Sequence, residues 1–249
     1  MKKRIKTGMP IGTINAHIES HGKTGSLLRQ IILGGQDGLV NVLGIVLGLA
    51  GAVIVNPKIG PSAVIIGGLA ATFAESVSMA AVAYTSGKAQ RDFYYREMER
   101  EKQEMKDAPE IERAEIKVIY MKKGFRGKQL ENIVDKICSD KDLWLETMMT
   151  EELGLSESKD IKPLNEGIVV GLAAMAGSLI PLAPFFFSPV QQAVIPALSI
   201  SSIALFAAGA YKGKITLGNW WKAGLEMLII GMSAAFIGYA VGEWAGGVF

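Results

Sequence analysis

Four residues in the first third of the chain carry chemistry that their surroundings do not invite. In "ATFAESVSMAAVAY" a single carboxylate, Glu75, lies among small and apolar residues for more than a turn on each side, and Met79 follows four residues later. In "GGQDGLVNVLGIVLGLAGA" Asp37 and Asn41 stand one helical turn apart in a similarly apolar run. A charged side chain at bilayer depth costs about 2.5–3.5 kcal/mol even on the most lenient scale, so ionisable residues there mark ion or proton pathways. Two carboxyl groups, an amide and a thioether combine hard oxygen with soft sulfur. Oxygen alone suits Mg²⁺ and Ca²⁺, whereas thioether favours softer transition metals. A desolvated carboxylate also disfavours its ionised form and so trades a metal ion for a proton, the chemistry of a metal/proton exchanger.

A second set of candidates lies in a polar stretch. Glu97, Glu101 and Glu104 share one helix face, Glu112 and Glu115 are i, i+3 on the next segment, and Met148, Met149 and Glu152 fall within one turn further on. Carboxylates from three helices and two thioethers would make a divalent-metal site if they converge. The same pattern also suits a solvated face, with Arg96, Arg100, Lys102 and Lys106 pairing with the acids and the methionines packing in a core. The residues alone leave both readings open.

These candidates need elements to position them. Of the 249 residues 49% are hydrophobic, and the apolar residues are blocked rather than dispersed. Blocks at about 31–55, 62–84, 167–187, 191–211 and 220–241 each have roughly the 20 residues that cross a bilayer. The expected fold is therefore an all-α membrane protein: an N-terminal tail (1–25), helices 1 and 2 (26–85), an inserted helical domain (86–163) and helices 3 to 5 (164–249). The net charge of +2 says little, but its distribution says more. With five spans, every Lys and Arg except Lys58 falls on one side, which the positive-inside rule makes cytosolic. "NPKIGP" reads as a tight turn between the first two spans. The second helix is expected to run out of the membrane and break around Asp107–Pro109. A third, with Leu130, Ile133, Val134 and Ile137 as its apolar stripe, and a fourth, ending at Gly154, complete the insertion. No secretory leader is legible in "MKKRIKTGMP", and the lone Cys138 excludes a disulfide framework. His17 and His21 are i, i+4 neighbours and read as a solvated face.

Other function classes fit less well. A membrane-embedded metal-dependent enzyme using Asp37 and Glu75 as catalytic carboxylates is the main alternative, but lipid-headgroup transferases cluster several aspartates, and this chain has one DG pair and no second DxxxD. A di-iron oxidase would want Glu-x-x-His pairs on facing helices, and residues 86–163 contain no histidine.

At this point the chain resembles the vacuolar iron transporter family, from about Arg29 to the end. "GGQDGLVNVLGIVLGLAGA" is similar to that family's first span, "SVSMAAVAYTSGKAQRDFYYRE" to its second span leaving the membrane, and "WLETMMTEELGL" to the segment closing its metal-binding domain. The resemblance implies five spans per subunit, a homodimer with the ion path between two copies of span one, and export of Fe²⁺ from the cytosol in exchange for protons. It implies cytosolic ligands at Glu101, Glu104, Glu112, Glu115, Met148, Met149 and Glu152, and membrane ligands at Asp37 and Met79. The oxygen and thioether set accepts Mn²⁺ as well. The implied partners are membrane lipid, a divalent ion, protons and a second copy, with no nucleic acid. The implied membrane is a prokaryotic plasma membrane or a vacuole-like organelle. One departure stands out: the family places a glutamate eight residues before the methionine, where this chain has Ala71, and carries its carboxylate at Glu75 instead. Glu97 is an extra acid on the same face as Glu101 and Glu104.

Overall fold

The computed structural model describes residues 22–156, 162–215 and 218–248; His17 and His21 lie outside them. Eight α-helices account for most of these residues: α1 (Gly22–Val55), α2 (Ser62–Asp107), α3 (Pro109–Lys122), α4 (Gly127–Cys138), α5 (Lys141–Thr147), α6 (Pro163–Leu182), α7 (Val190–Ile215) and α8 (Trp220–Val248). Five of them, α1, α2, α6, α7 and α8, are long and apolar enough to cross a membrane. The chain divides into two compact units, residues 1–84 with 164–249 and residues 85–163. Helix α2 belongs to both, because its 46 residues are about twice the number that crosses a bilayer.

In the first unit α1 packs along α8 and, through its other half, against α6. Small residues make both approaches possible. A Cβ at Gly48 would lie 2.8 Å from the Gly238 carbonyl oxygen, and one at Gly242 would fall on the Gly48 carbonyl. At the other end of α1, Gly34 and Gly38 meet the backbone of Val170 and Ala174. Val42, Val46, Val53, Val64 and Leu182 form one core, and Leu39, Leu43, Leu47, Leu205 and Met227 another. Outward-facing Ile66, Phe73, Val77, Ile195, Ile203, Phe236 and Ile237 are exposed, an apolar surface suited to lipid. The α1–α2 turn is built as the sequence suggests. Asn56 Oδ1 accepts from the Lys58 amide at 3.2 Å, Pro57 starts a short 3₁₀ turn, and Gly60 takes φ +82°, which only glycine adopts without strain.

The second unit is a small helical domain. Helix α2 stops at Asp107 and α3 restarts with Pro109 in its first turn, where the missing N–H breaks no helical bond. The α4 stripe is buried as expected through Leu130, Val134 and Ile137, against Ile116, Trp144 and Met148. Ion pairs tie α3 to its neighbours: Arg113 with Asp135, Lys117 with Glu131 at 2.5 Å, and Lys123 with Glu151. The last helix differs from the expectation. After Asp140 caps α5, the chain widens at Met148–Glu152 into one π turn before Gly154 at φ +66°.

Candidate functional sites

In the membrane unit, the glycine face of α1 is taken up by α6, with Gly38 against Ala174 and Ser178. That leaves Asp37 and Asn41 towards α2. Two buried hydroxyls of α2 are satisfied by their own helix: Thr72 donates to the Gly68 carbonyl at 2.8 Å and Ser76 to that of Thr72 at 2.7 Å. Glu75 instead turns to α1. Asn41 Nδ2 donates to Glu75 Oε1 at 3.1 Å, and Asp37 stands one turn before Asn41 on α1. Met79, half-buried one turn along α2, is not hydrogen-bonded to these three. Ala71, one turn the other way, packs against the core around Val42 and Val46, an apolar setting for a carboxylate. Asp37 and Glu75 are half-buried and Asn41 is exposed, so the trio opens onto the outside of the unit.

In the second unit the glutamates face one another from α2, α3 and the π turn. Glu101 is 1% exposed, Glu112 5% and Glu97 7%. Burial pushes the Glu112 carboxyl up to about 7, helped by the charges of Glu115, Glu101, Glu104 and Glu152. Glu101 is raised by burial and by Glu104. Glu152, although exposed over much of its surface, is raised by partial burial and by Glu115, Glu101 and Glu104. The five carboxylates that the resemblance implies as ligands thus stand within one another's field. The Oε2 atoms of Glu101 and Glu112 are buried without a hydrogen-bond partner, a costly state for carboxylate oxygen unless a cation is their partner. As arranged, no three His, Cys, Asp or Glu side chains among the described residues stand close enough to hold a metal ion.

The thioethers sit on the π turn. Met148 is fully buried in the core with Ile116 and Val134, and Met149 is 2% exposed beside a cavity of about 540 Å³ lined also by Tyr94, Tyr95 and Met98. The pairing that a solvated acidic face would show is present too. Arg96 bonds Glu97, Lys102 bonds Glu99 at 2.7 Å, and Arg100 bridges Glu97, Glu101 and Glu104. Sequence reasoning placed Arg100 among general surface charges and missed its central position. Its spacing, i+3 from Glu97 and i−4 from Glu104, was legible, but the burial of Glu97 and Glu101 that singles it out was not.

Comparison with known proteins finds relatives along nearly the whole chain. Residues 28–243 match the VIT family. Vacuolar iron transporter 1 of Tulipa gesneriana is 31% identical over 231 residues, covering 92% of each chain. Vacuolar iron transporter 1 of Arabidopsis thaliana is 30% identical, covering 92% of this chain and 90% of its own. The vacuolar iron transporter of Plasmodium falciparum is 32% identical over 239 residues, covering 92% and 86%. With five helices fit to cross a bilayer and a match over nearly its whole length, this chain is an integral membrane protein belonging to the VIT family.

Proposed function

We propose that this protein exports Fe²⁺ from the cytosol across a membrane in exchange for protons, and that it works as a homodimer. The observation that carries the reading is the hydrogen bond from Asn41 to Glu75 between two membrane-spanning helices, with Asp37 one turn before Asn41. Lipid is a poor neighbour for such a trio, and it opens onto the outside of its unit. A second copy laid against α1 covers it and doubles the oxygen ligands along a shared path. Fe²⁺ binds there to the carboxylates, and protons arriving from the far side take its place and release the ion. Asp37 and Glu75 serve as ligands and proton carriers, Asn41 orients Glu75, and Met79 adds a soft donor. The domain of residues 85–163 lies in the cytosol and captures the ion with Glu101, Glu104, Glu112, Glu115, Glu152, Met148 and Met149. Mn²⁺ satisfies the same donors.

The names of the relatives supply the cargo and a vacuole-like membrane as the setting, and they speak against a membrane-embedded enzyme. In proteoliposomes, Asp37→Ala is expected to abolish Fe²⁺ flux, while Glu101→Gln or Glu112→Gln slows it. An unchanged rate in Asp37→Ala contradicts the mechanism.

A further inference from the structure

Arg100 is placed unlike any other cation among the described residues. Its Nη1 lies 2.6 Å from Glu97 Oε2, its Nη2 3.4 Å from Glu101 Oε1 and its Nε 3.6 Å from Glu104 Oε1. One guanidinium therefore spans the acidic face of α2 and engages two of the carboxylates assigned above to the metal. We propose that Arg100 is the resident counter-cation of the acidic site, which an entering divalent ion must displace, so that this residue sets the site's affinity and its threshold against weakly binding cations. The inference rests on the cytosolic capture site proposed above.

Three observations support it. First, Glu101 keeps capacity to spare: it holds Arg100 through Oε1 while its buried Oε2 has no partner, and Oε2 of Glu112 is likewise buried without one. Second, Arg100 is free to leave. Its side chain is 52% exposed, and exposed ion pairs are weak and screened by water. Third, its departure does not strand Glu97. Arg96 Nη2 contacts Glu97 Oε1 at 3.2 Å, so this buried acid keeps a cation of its own. Glu97 is thus an anchor for the arginines rather than a metal ligand, which accounts for the extra acid on this face. The arrangement also explains why the acids, although within one another's field, do not converge tightly enough to hold an ion: three of them are arranged around a guanidinium. Full charge on Arg100 at any physiological pH makes the competition permanent. A divalent ion that gains thioether bonds from Met148 and Met149 overcomes it more readily than Mg²⁺, which prefers oxygen alone.

The test is calorimetric titration of Mn²⁺ into the full-length protein in detergent, comparing wild type with Arg100→Gln, Arg100→Lys and Glu112→Gln. Arg100→Gln is expected to tighten Mn²⁺ binding about five- to tenfold, the range for relief of a few part-exposed ion pairs. Arg100→Lys, which keeps the charge but loses the planar fork, is expected to tighten Mn²⁺ binding less than Arg100→Gln does. Misfolding cannot imitate a gain in affinity. Unchanged or weaker binding in Arg100→Gln overturns the role of Arg100, and so does equal tightening in both arginine variants, because charge is then irrelevant. If Glu112→Gln binds Mn²⁺ like wild type, the capture site itself is misplaced and the inference falls with it. If Glu112→Gln weakens binding and Arg100→Gln does not tighten it, the capture site stands and only the counter-cation is lost.

Discussion

Glu112→Gln should make the metal-free protein more stable, and only on the alkaline side. The wild-type carboxyl is 5% exposed, its Oε2 lacks a partner, and burial together with four neighbouring glutamates raises it from 4.5 to about 7. The folded state therefore binds this proton more tightly than the unfolded chain does. Its stabilising contribution is complete below pH 4.5 and is lost as pH rises through about 7. The displacement is worth at most about 3 kcal/mol, the penalty for holding the charge in place at pH 8. Glutamine has the same shape, carries no charge at any pH, and its amide can donate to the surrounding carboxylates. Thermal unfolding of chelator-treated full-length protein in detergent, followed from pH 5 to 8, reads the difference. The wild-type Tm should fall by several degrees over this range, and that of Glu112→Gln by clearly less. Glu101 and Glu152, raised in the same direction, leave the variant some slope. Mn²⁺ at pH 8 should then raise the Tm of wild type and not that of Glu112→Gln. Parallel pH profiles for the two proteins would refute the electrostatic reasoning.

Two further outcomes follow from packing. Gly242→Leu places a side chain on the Gly48 carbonyl and should force α1 from α8, costing at least about 1–3 kcal/mol and reducing monodisperse protein on gel filtration. Gly247→Leu is the control, because a Cβ there comes no nearer than 3.8 Å to Val55. Replacing Met148 and Met149 together by leucine conserves volume and should cost less than about 1.5 kcal/mol for each residue, yet it removes both sulfurs. Competition titrations should show weaker Fe²⁺ binding with Mg²⁺ binding unchanged.

Most of the fold is legible because its determinants are local and strong. Five apolar blocks long enough to cross a bilayer need no tertiary information, and the helical break at Asp107–Pro109 follows from the chemistry of proline. The α4 stripe was equally plain, since helical periodicity selected Leu130, Val134 and Ile137. The π turn at Met148–Glu152 was not legible: an extra residue in a helical turn is set by what that turn packs against, and no composition marks it. Glu75 and Asn41 were legible as members of one ligand set but not as a bonded pair, because the register between α1 and α2 depends on which glycines meet α6 and α8. Arg100 shows the limit most clearly. Its i+3 and i−4 spacing to glutamates occurs on many solvated helices, and only the burial of Glu97 and Glu101 separates it from those.

The claim that two membrane carboxyls exchange a metal ion for protons is tested most directly by measuring both fluxes at once. Purified protein in liposomes under an imposed pH gradient, with an internal metal-sensitive dye and a pH dye, would be compared with Glu75→Gln. The account predicts coupled Fe²⁺ and proton movement in wild type and loss of that coupling in the variant, whose amide accepts no exchangeable proton. Normal coupled transport by Glu75→Gln would contradict it, reducing Glu75 to a structural partner of Asn41.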